Sequence, residues 1–354
     1  MDTPKMKLDP GAVRRILVLR YRSIGDIILS NPALAGLRRM FPAAKIHMVV
    51  DDVFEDVLYG NPNVDKIILS PRKPSGPKWK ADIAMINKLR AAKYDLAVDL
   101  HGGPRSSWFT LFSGARWRIG HGFRWRNRLC YNMAVPTPDF DDHTWRVQYR
   151  VVNALGSAWP EKPEFFLNFP EKAMESARAK VGETGFNFDM PIVLLHPGAR
   201  IQVKRWPAEK MGALARWLVD EKGAAVFLAG SKADEEEIKS IRRAAGYALP
   251  YFTNLNVGEL AALIKMANLI VCNDSGPMHM AGALNTPILA LFGPSDPKIW
   301  EPMGADVKAT ITGAPMECMP CDQKGCPYEG AHCMTRIELG EVKRELEKLL
   351  PPHA

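Results

Sequence analysis

Short apolar runs, each followed by a stretch of helical composition, recur in two series along this chain of 354 residues. In the first series "RILVLRY" (15–21), "KIHMVV" (45–50), "DKIILS" (65–70) and "YDLAVDL" (94–100) read as strands. Helices are predicted over 26–40 and 81–92, with Pro32 kinking the first of them or marking its first full turn. The second series opens on "PIVLLHPGA" and continues through "AAVFLAG", "NLIVCND" and "PILALFG". Its helices are predicted over 207–222, 233–245, 258–267 and 277–284. Apolar strands spaced by helices imply right-handed βαβ units and parallel sheets.

Between the two series lies "NALGSAWPEKPEFFLNFPEKA" (153–173), rich in proline. The expected organisation is α/β, with two doubly wound Rossmann-like domains, 1–158 and 176–354, joined by a linker over 159–175. A cleft between them is the expected ligand site, because such sheets bind ligands beyond the carboxyl ends of their strands. No apolar run approaches the roughly 18 residues that would cross a bilayer. The start, "MDTPKMKLDPGAVRR", lacks the apolar core of a signal peptide, so a cytoplasmic protein is expected.

Charge is unevenly spread. Residues 1–170 carry 26 Lys/Arg against 16 Asp/Glu, whereas residues 171–354 carry 21 against 23. The basic half should attract something anionic: nucleic acid, anionic lipid or a phosphorylated substrate. A solvated, solubilising surface is the bland alternative.

The polar residues worth weighing sit where strands end. "RYRSIGDIILSNP" places Arg22, Ser23, Gly25 and Asp26 between the first strand and the first helix. Asp26 reads either as a helix cap or as a general base. "DLHGGPRSSW" puts His101, Gly102, Gly103 and Arg105 at the end of the fourth strand. "RWRIGHGFRWRNR" (116–128), with Arg124, interleaves arginines with aromatics. That pattern suits single-stranded nucleic acid, a phosphorylated glycolipid at a membrane, or a plain basic loop.

In the second half "LLHPGARIQVKRWP" places His196, Gly198 and Lys204 after a strand, where a lysine can neutralise a phosphate. "LAGSKADEEEI" sets Asp234 and Glu235 where a carboxylate can meet ribose hydroxyls, although acids in a first helical turn are common for dipole reasons alone. "NDSGPMHMAGAL" contains Asp274, Ser275, Gly276 and His279. Pro277 suits a first helical turn, and the free N–H groups there form a ready anion site. No G-x-G-x-x-G or P-loop pattern follows a strand, which argues against a dinucleotide oxidoreductase or an NTPase.

Taken in order, "RILVLRYRSIGDIILSNPAL", "DLHGGPRSS", "HPGARIQVKRWPAEK", "LAGSKADEEE" and "VCNDSGPMHMAGALNTPILALFGPSDP" resemble glycosyltransferase family 9, the bacterial lipopolysaccharide heptosyltransferases. The resemblance covers nearly the whole chain. It implies a GT-B fold and inverting transfer of heptose from ADP-heptose to the lipid-linked inner core of lipopolysaccharide. The N-terminal domain would take the acceptor and the C-terminal domain the nucleotide sugar. By motif position Asp26 resembles the general base, and Lys204 the lysine that offsets the leaving diphosphate. Asp234 or Glu235 would lie near the ribose, and Asp274 would face the donor sugar. Ser275, Gly276 and His279 would neighbour the pyrophosphate, with His196 and Gly198 also on the donor side. Arg22, Ser23, Arg105 and Arg124 would meet the acceptor. Where some members carry paired threonines before the lysine, this chain has Ala199 and Arg200. The lipid-linked acceptor implies peripheral contact with the inner membrane surface, and no nucleic acid.

Cys318, Cys321, Cys326 and Cys333 follow the spacing C-x2-C-x4-C-x6-C, with His332 adjacent. This suits a tetrahedral zinc or an iron–sulfur cluster; reduced packing thiols and a pair of disulfides are the alternatives. None of these is assigned to catalysis, for which no metal or other cofactor is required. The rival readings of the whole chain are a transferase or other GT-B enzyme using a different nucleotide sugar, and a non-enzymatic binder of nucleotides or nucleic acid.

Overall fold

A computed structural model describes residues 8–350, apart from 123–124, 137–140, 187–189, 320, 322, 324–325 and 329–331. The chain divides into two units, Met1–Phe166 and Leu167–Ala354. The first runs β1 (Arg15–Leu19), α1 (Ile24–Ile28), α2 (Asn31–Met40), β2 (Lys45–Asp51), β3 (Lys66–Ser70), α3 (Lys78–Ala91), β4 (Leu96–Asp99), α4 (Pro104–Phe112), β5 (Trp117–His121), α5 (Trp125–Cys130), β6 (Met133–Val135) and α6 (Thr144–Asn153). The second runs α7 (Glu171–Gly182), β7 (Ile192–His196), α8 (Ala208–Asp220), β8 (Ala225–Ala229), α9 (Glu235–Ala245), β9 (Tyr251–Phe252), α10 (Val257–Met266), β10 (Leu269–Asn273), α11 (Gly276–Ala283), β11 (Ile288–Phe292), α12 (Pro297–Trp300), β12 (Lys308–Thr312) and α13 (Leu339–Leu349).

Each unit holds one six-stranded sheet, in the orders β3-β2-β1-β4-β5-β6 and β12-β11-β10-β7-β8-β9. Every ladder between neighbouring strands is parallel. Counted within its own unit, each order is 3-2-1-4-5-6, the doubly wound arrangement. The central strands are buried from end to end, β7, β8, β10 and β11 at every position, which is why they read as unbroken apolar runs. The first core gathers Leu17, Leu19, Val49, Ile68, Leu89 and Phe109. The second gathers Leu195, Trp206, Leu214, Leu218, Ile241 and Leu346.

Besides elements that the sequence reading did not place, among them β6, β9 and β12, the structure departs from it in three places. The helix expected over 26–40 is two helices, α1 and α2, with Pro32 in the first turn of α2. Proline has no N–H to donate, and its ring clashes with the carbonyl four residues back, here that of Ile28. The freed carbonyls are taken by side chains: Ser30 Oγ donates to Ile27 O at 2.6 Å and Asn31 Nδ2 to Ile28 O at 2.8 Å. The linker expected over 159–175 contains the start of α7, which opens at Glu171 directly after Pro170. The segment 116–128 holds strand β5 and the start of α5 rather than a loop. Its arginines brace the backbone. Arg118 donates through Nε to Cys130 O at 2.9 Å, and Arg128 through Nε to Gly122 O at 3.3 Å. Among the described residues no helix is long and apolar enough to cross a membrane.

Candidate functional site

In a doubly wound sheet the strand order reverses between its two central strands, and their carboxyl ends open a crevice there. In the first unit these are β1 and β4, paired from Ile16 with Leu96 to Leu19 with Asp99. In the second they are β7 and β10, paired up to His196 with Cys272. Most of the residues singled out from sequence follow these strands, while Asp234 and Glu235 follow β8.

At the first edge Asp26 lies in α1, its side chain mostly enclosed. Its Oδ2 accepts from Ser23 N at 2.9 Å and Ser23 Oγ at 3.1 Å. Its Oδ1 pairs with Arg20, whose NH1 also donates to Leu100 O at 3.0 Å. The cap contacts aim the carboxylate, and Arg20 ties it to both central strands. Arg22 and Ser23 are exposed beside it.

Asp99, fully buried, shapes the loop that follows β4. Its Oδ1 accepts from the N–H groups of His101 and Gly102, each at 2.8 Å, and its Oδ2 from Tyr131 Oη at 2.6 Å. Tyr131 reaches it because Gly120 has no Cβ, which would sit 2.7 Å from the ring. Burial and then Asp99 push the Tyr131 hydroxyl far up, so it stays a donor. His101 stands edge-on to Tyr21, ring centroids 5.3 Å apart. Burial, then the charge of Arg20, holds its imidazole down to about 4, so the ring is neutral at pH 7. Among the described residues His101 Nδ1, Arg20 Nε and Tyr21 Oη are buried with no hydrogen-bond partner. Buried donors and acceptors are normally satisfied, so three orphans at one strand edge mark a place where a polar ligand fits.

Arg105, expected at an acceptor phosphate, is held inside the unit. Its Nε donates to Asp82 Oδ1 at 2.8 Å and its NH1 to Ser70 Oγ at 2.9 Å, and the guanidinium lies over Phe109 at 5.2 Å. Arg124 lies outside the described residues.

At the second edge Asn273 ties the central strand ends together: Nδ2 donates to Pro197 O at 2.6 Å, and Oδ1 accepts from Trp206 N at 3.2 Å. This fixes the short 3-10 turn Gln202–Lys204 relative to β10. Lys204 Nζ then meets Asp274 Oδ2 at 2.6 Å, both side chains largely buried. Ser275 caps α11 and donates through Oγ to Asn273 O at 3.1 Å; Gly276 and Pro277 form the first turn. His279, one turn on, is buried.

Asp234 is also buried, and its lone pairs are committed. Oδ2 accepts from Ser231 N at 2.8 Å and Ser231 Oγ at 2.7 Å, and Oδ1 pairs with Arg205 at 2.7 Å. Gly198 is required for this, since a Cβ there would lie 2.7 Å from Asp234 Oδ2. Glu235 is the half-exposed neighbour, 3.3 Å from Lys239. His196 is driven down by burial and partly restored by Asp234, which leaves a neutral ring, its Nδ1 without a hydrogen-bond partner among the described residues.

The structure thus joins Lys204 with Asp274, and Gly198 with Asp234. Sequence reasoning missed Arg20, Tyr21, Asn273 and Arg205. Tyr21, Asn273 and Arg205 stood next to residues it had chosen, and nothing local distinguished them from their neighbours. The four late cysteines are free thiols lining one cavity of about 20 Å³ with Val203 and Pro294. Among the described residues no group of three or more His, Cys, Asp or Glu side chains is placed to hold a metal ion.

A family model, glycosyltransferase family 9 (heptosyltransferase), matches residues 83–332. The chain is 29% identical to lipooligosaccharide heptosyltransferase 2 of Haemophilus ducreyi, covering 95% of this chain and 99% of that protein. It is 28% identical to lipopolysaccharide heptosyltransferase 2 of Escherichia coli K12, covering 95% and 98%. Among solved structures it matches a family 9 glycosyl transferase from Veillonella parvula with a TM-score of 0.80 at 25% identity, covering 95% and 97%. The two units are those of the GT-B fold.

A titration follows from His101. The unfolded ring takes up a proton near its ordinary value of about 6.5, the folded one near 4. Between those values the unfolded chain binds more protons, so stability is lost as pH falls through this window. The loss is on the order of 2–3 kcal/mol. Denaturant unfolding at about pH 7.5 and about pH 4.5 should show His101→Gln losing less stability than the parent chain. Equal losses would exclude His101 as a source.

Proposed function

The chain belongs to glycosyltransferase family 9, the heptosyltransferases, and from that premise we propose that it moves a heptose from ADP-heptose to the inner core of lipopolysaccharide with inversion. The observation that carries the donor side is the Lys204–Asp274 pair, held at 2.6 Å beside the start of α11. As the bond from the anomeric carbon to the diphosphate breaks, negative charge grows on ADP and positive charge on the sugar. Lys204 and the N–H groups at the start of α11 supply fixed positive potential for the first. Asp274, released in part by a diphosphate that competes for Lys204, is placed for the second. With Asp234 committed to Ser231 and Arg205, Glu235 is the carboxylate with reach for ribose hydroxyls. Gly198, His196 and Asp234 build the floor on which the nucleotide rests.

On the acceptor side Asp26 takes the proton of the attacking hydroxyl. Its proton is acquired as the Arg20 pair loosens, so the base works late, when the hydroxyl is already acidic. Arg22 and Ser23, exposed beside it, are the nearest groups for the acceptor's polar atoms. Arg105 contributes by fixing Tyr21 and the β3 edge. The acceptor is lipid-linked, so the enzyme works at the inner membrane surface, from the cytoplasmic side.

Radiolabelled transfer with ADP-heptose, set against UDP- and GDP-sugars, tests the reading directly; preference for another nucleotide would overturn it. Asp26→Asn should abolish transfer while ADP-heptose still binds, as read by calorimetry. Near-parental turnover in that variant would remove Asp26 as the base. Lys204→Ala should lower kcat by about 10²–10³-fold, the usual cost of losing one preorganised donor at developing charge. Unchanged kinetics would take Lys204 out of the mechanism.

A further inference from the structure

Three neighbouring helices of the first unit each carry an exposed apolar pair one turn apart. On α3 these are Trp79 and Ile83, on α4 Trp108 and Phe112, on α5 Trp125 and Leu129. α4 packs against both α3 and α5, so the pairs belong to one side of the sheet. The exposure is substantial, from 40% for Trp108 to 73% for Trp125. Six of the thirteen exposed large apolar side chains among the described residues fall on these three short helices. Scattered single exposures need no explanation, but a cluster of this kind does.

The charge around the cluster selects its occupant. Apart from Arg105, which is bound to the single acid Asp82, the described cations of the three helices are Lys78, Lys80, Lys88, Arg90 and Arg128. Lys80 lies over the Trp79 ring at 5.5 Å, and Trp108 stacks on Phe112 at 5.8 Å. Tryptophans and leucines flanked by lysine and arginine, with almost no acid, match the boundary between anionic headgroups and acyl chains. A partner protein of ordinary composition would present acids to the cations and would have to cover six apolar groups spread over three helices. A bilayer meets both demands at once.

We propose that the α3–α4–α5 face seats this protein on an anionic lipid surface, with Trp79, Trp108 and Trp125 in the interface and the basic residues at the headgroups. The assignment rests on the proposed function only for its purpose. α4 begins at the loop of His101 and Gly103, so a bilayer under this face lies next to the edge assigned to the lipid-linked acceptor. Phe112 is seven residues along α4 from Arg105, about 10 Å at 1.5 Å per residue.

The test uses the full chain and vesicles of phosphatidylglycerol with phosphatidylcholine, against phosphatidylcholine alone. Sedimentation should show binding to the anionic vesicles that weakens as salt rises, and brominated acyl chains should quench tryptophan emission. Lys78→Gln with Lys80→Gln should weaken binding on the order of tenfold or more at low salt. Trp108→Ser with Trp125→Ser should reduce both binding and quenching, with an unchanged melting temperature as the check on folding. That variant should keep its turnover on a delipidated acceptor and lose it on a vesicle-embedded one. Absence of binding to anionic vesicles at low salt overturns the proposal. So does binding without quenching, or a dimer in the parent chain that the tryptophan variant converts to monomer. Vesicle binding is read without donor or acceptor, so it can succeed where transfer fails, and the converse.

Discussion

A parallel strand buried on both faces has only its ends to offer to chemistry. In β4, β7 and β10 every residue before the last is apolar, and the last is polar: Asp99, His196 and Asn273. The 3-2-1-4-5-6 order then separates the crossovers on either side of the two central strands, so each sheet has one place where two strand ends lie bare together. Everything assigned to the reaction follows from that constraint. Asp26 and His101 belong to one such place, Lys204 and Asp274 to the other.

Buried carboxylates and amides do the shaping at these ends. Asp99 folds the loop of His101 over its own oxygen, and Asp234 does the same for Ser231. Asn273 uses both ends of its amide to fix the carbonyl of one strand end and the N–H that follows the lysine turn. None of these three needs to touch a substrate. Their cost of burial is offset by the hydrogen bonds they complete, and the gain is a set of loops whose reactive side chains have little left to choose.

The strands of both series, the helices after them and the Lys204 and Asp274 segments were legible in the sequence because each is a local pattern. β5 and β6 of the first sheet were not, since Arg118 and Gly120 interrupt β5 and the three-residue β6 is too short to show a period, and neither were the edge strands β9 and β12 of the second. Gly120 is there for a distant reason, the approach of Tyr131 to Asp99. The choice between Asp234 and Glu235 was undecidable locally for a similar reason. What buries Asp234 is the missing Cβ of Gly198 and the guanidinium of Arg205, both far away in sequence. Arg105 looked like a free cation because Asp82 and Ser70, its partners, come from elements earlier in the chain.

The charge asymmetry between the halves takes on a more definite meaning once side chains are placed. Many arginines of the basic half are already spent: Arg20 on Asp26, Arg38 on Asp65, Arg105 on Asp82, Arg118 on backbone carbonyls. A solubilising role needs cations spread evenly over the surface. Instead the exposed ones on α3 and α5 stand beside exposed tryptophans, where hydration of the charge competes with removal of the ring from water. The proposed lipid surface, anionic outside and apolar within, relieves both. The second unit, with acids slightly in excess, has no comparable need under the proposed function, which gives it a single soluble nucleotide sugar and one largely buried lysine, Lys204, for the diphosphate.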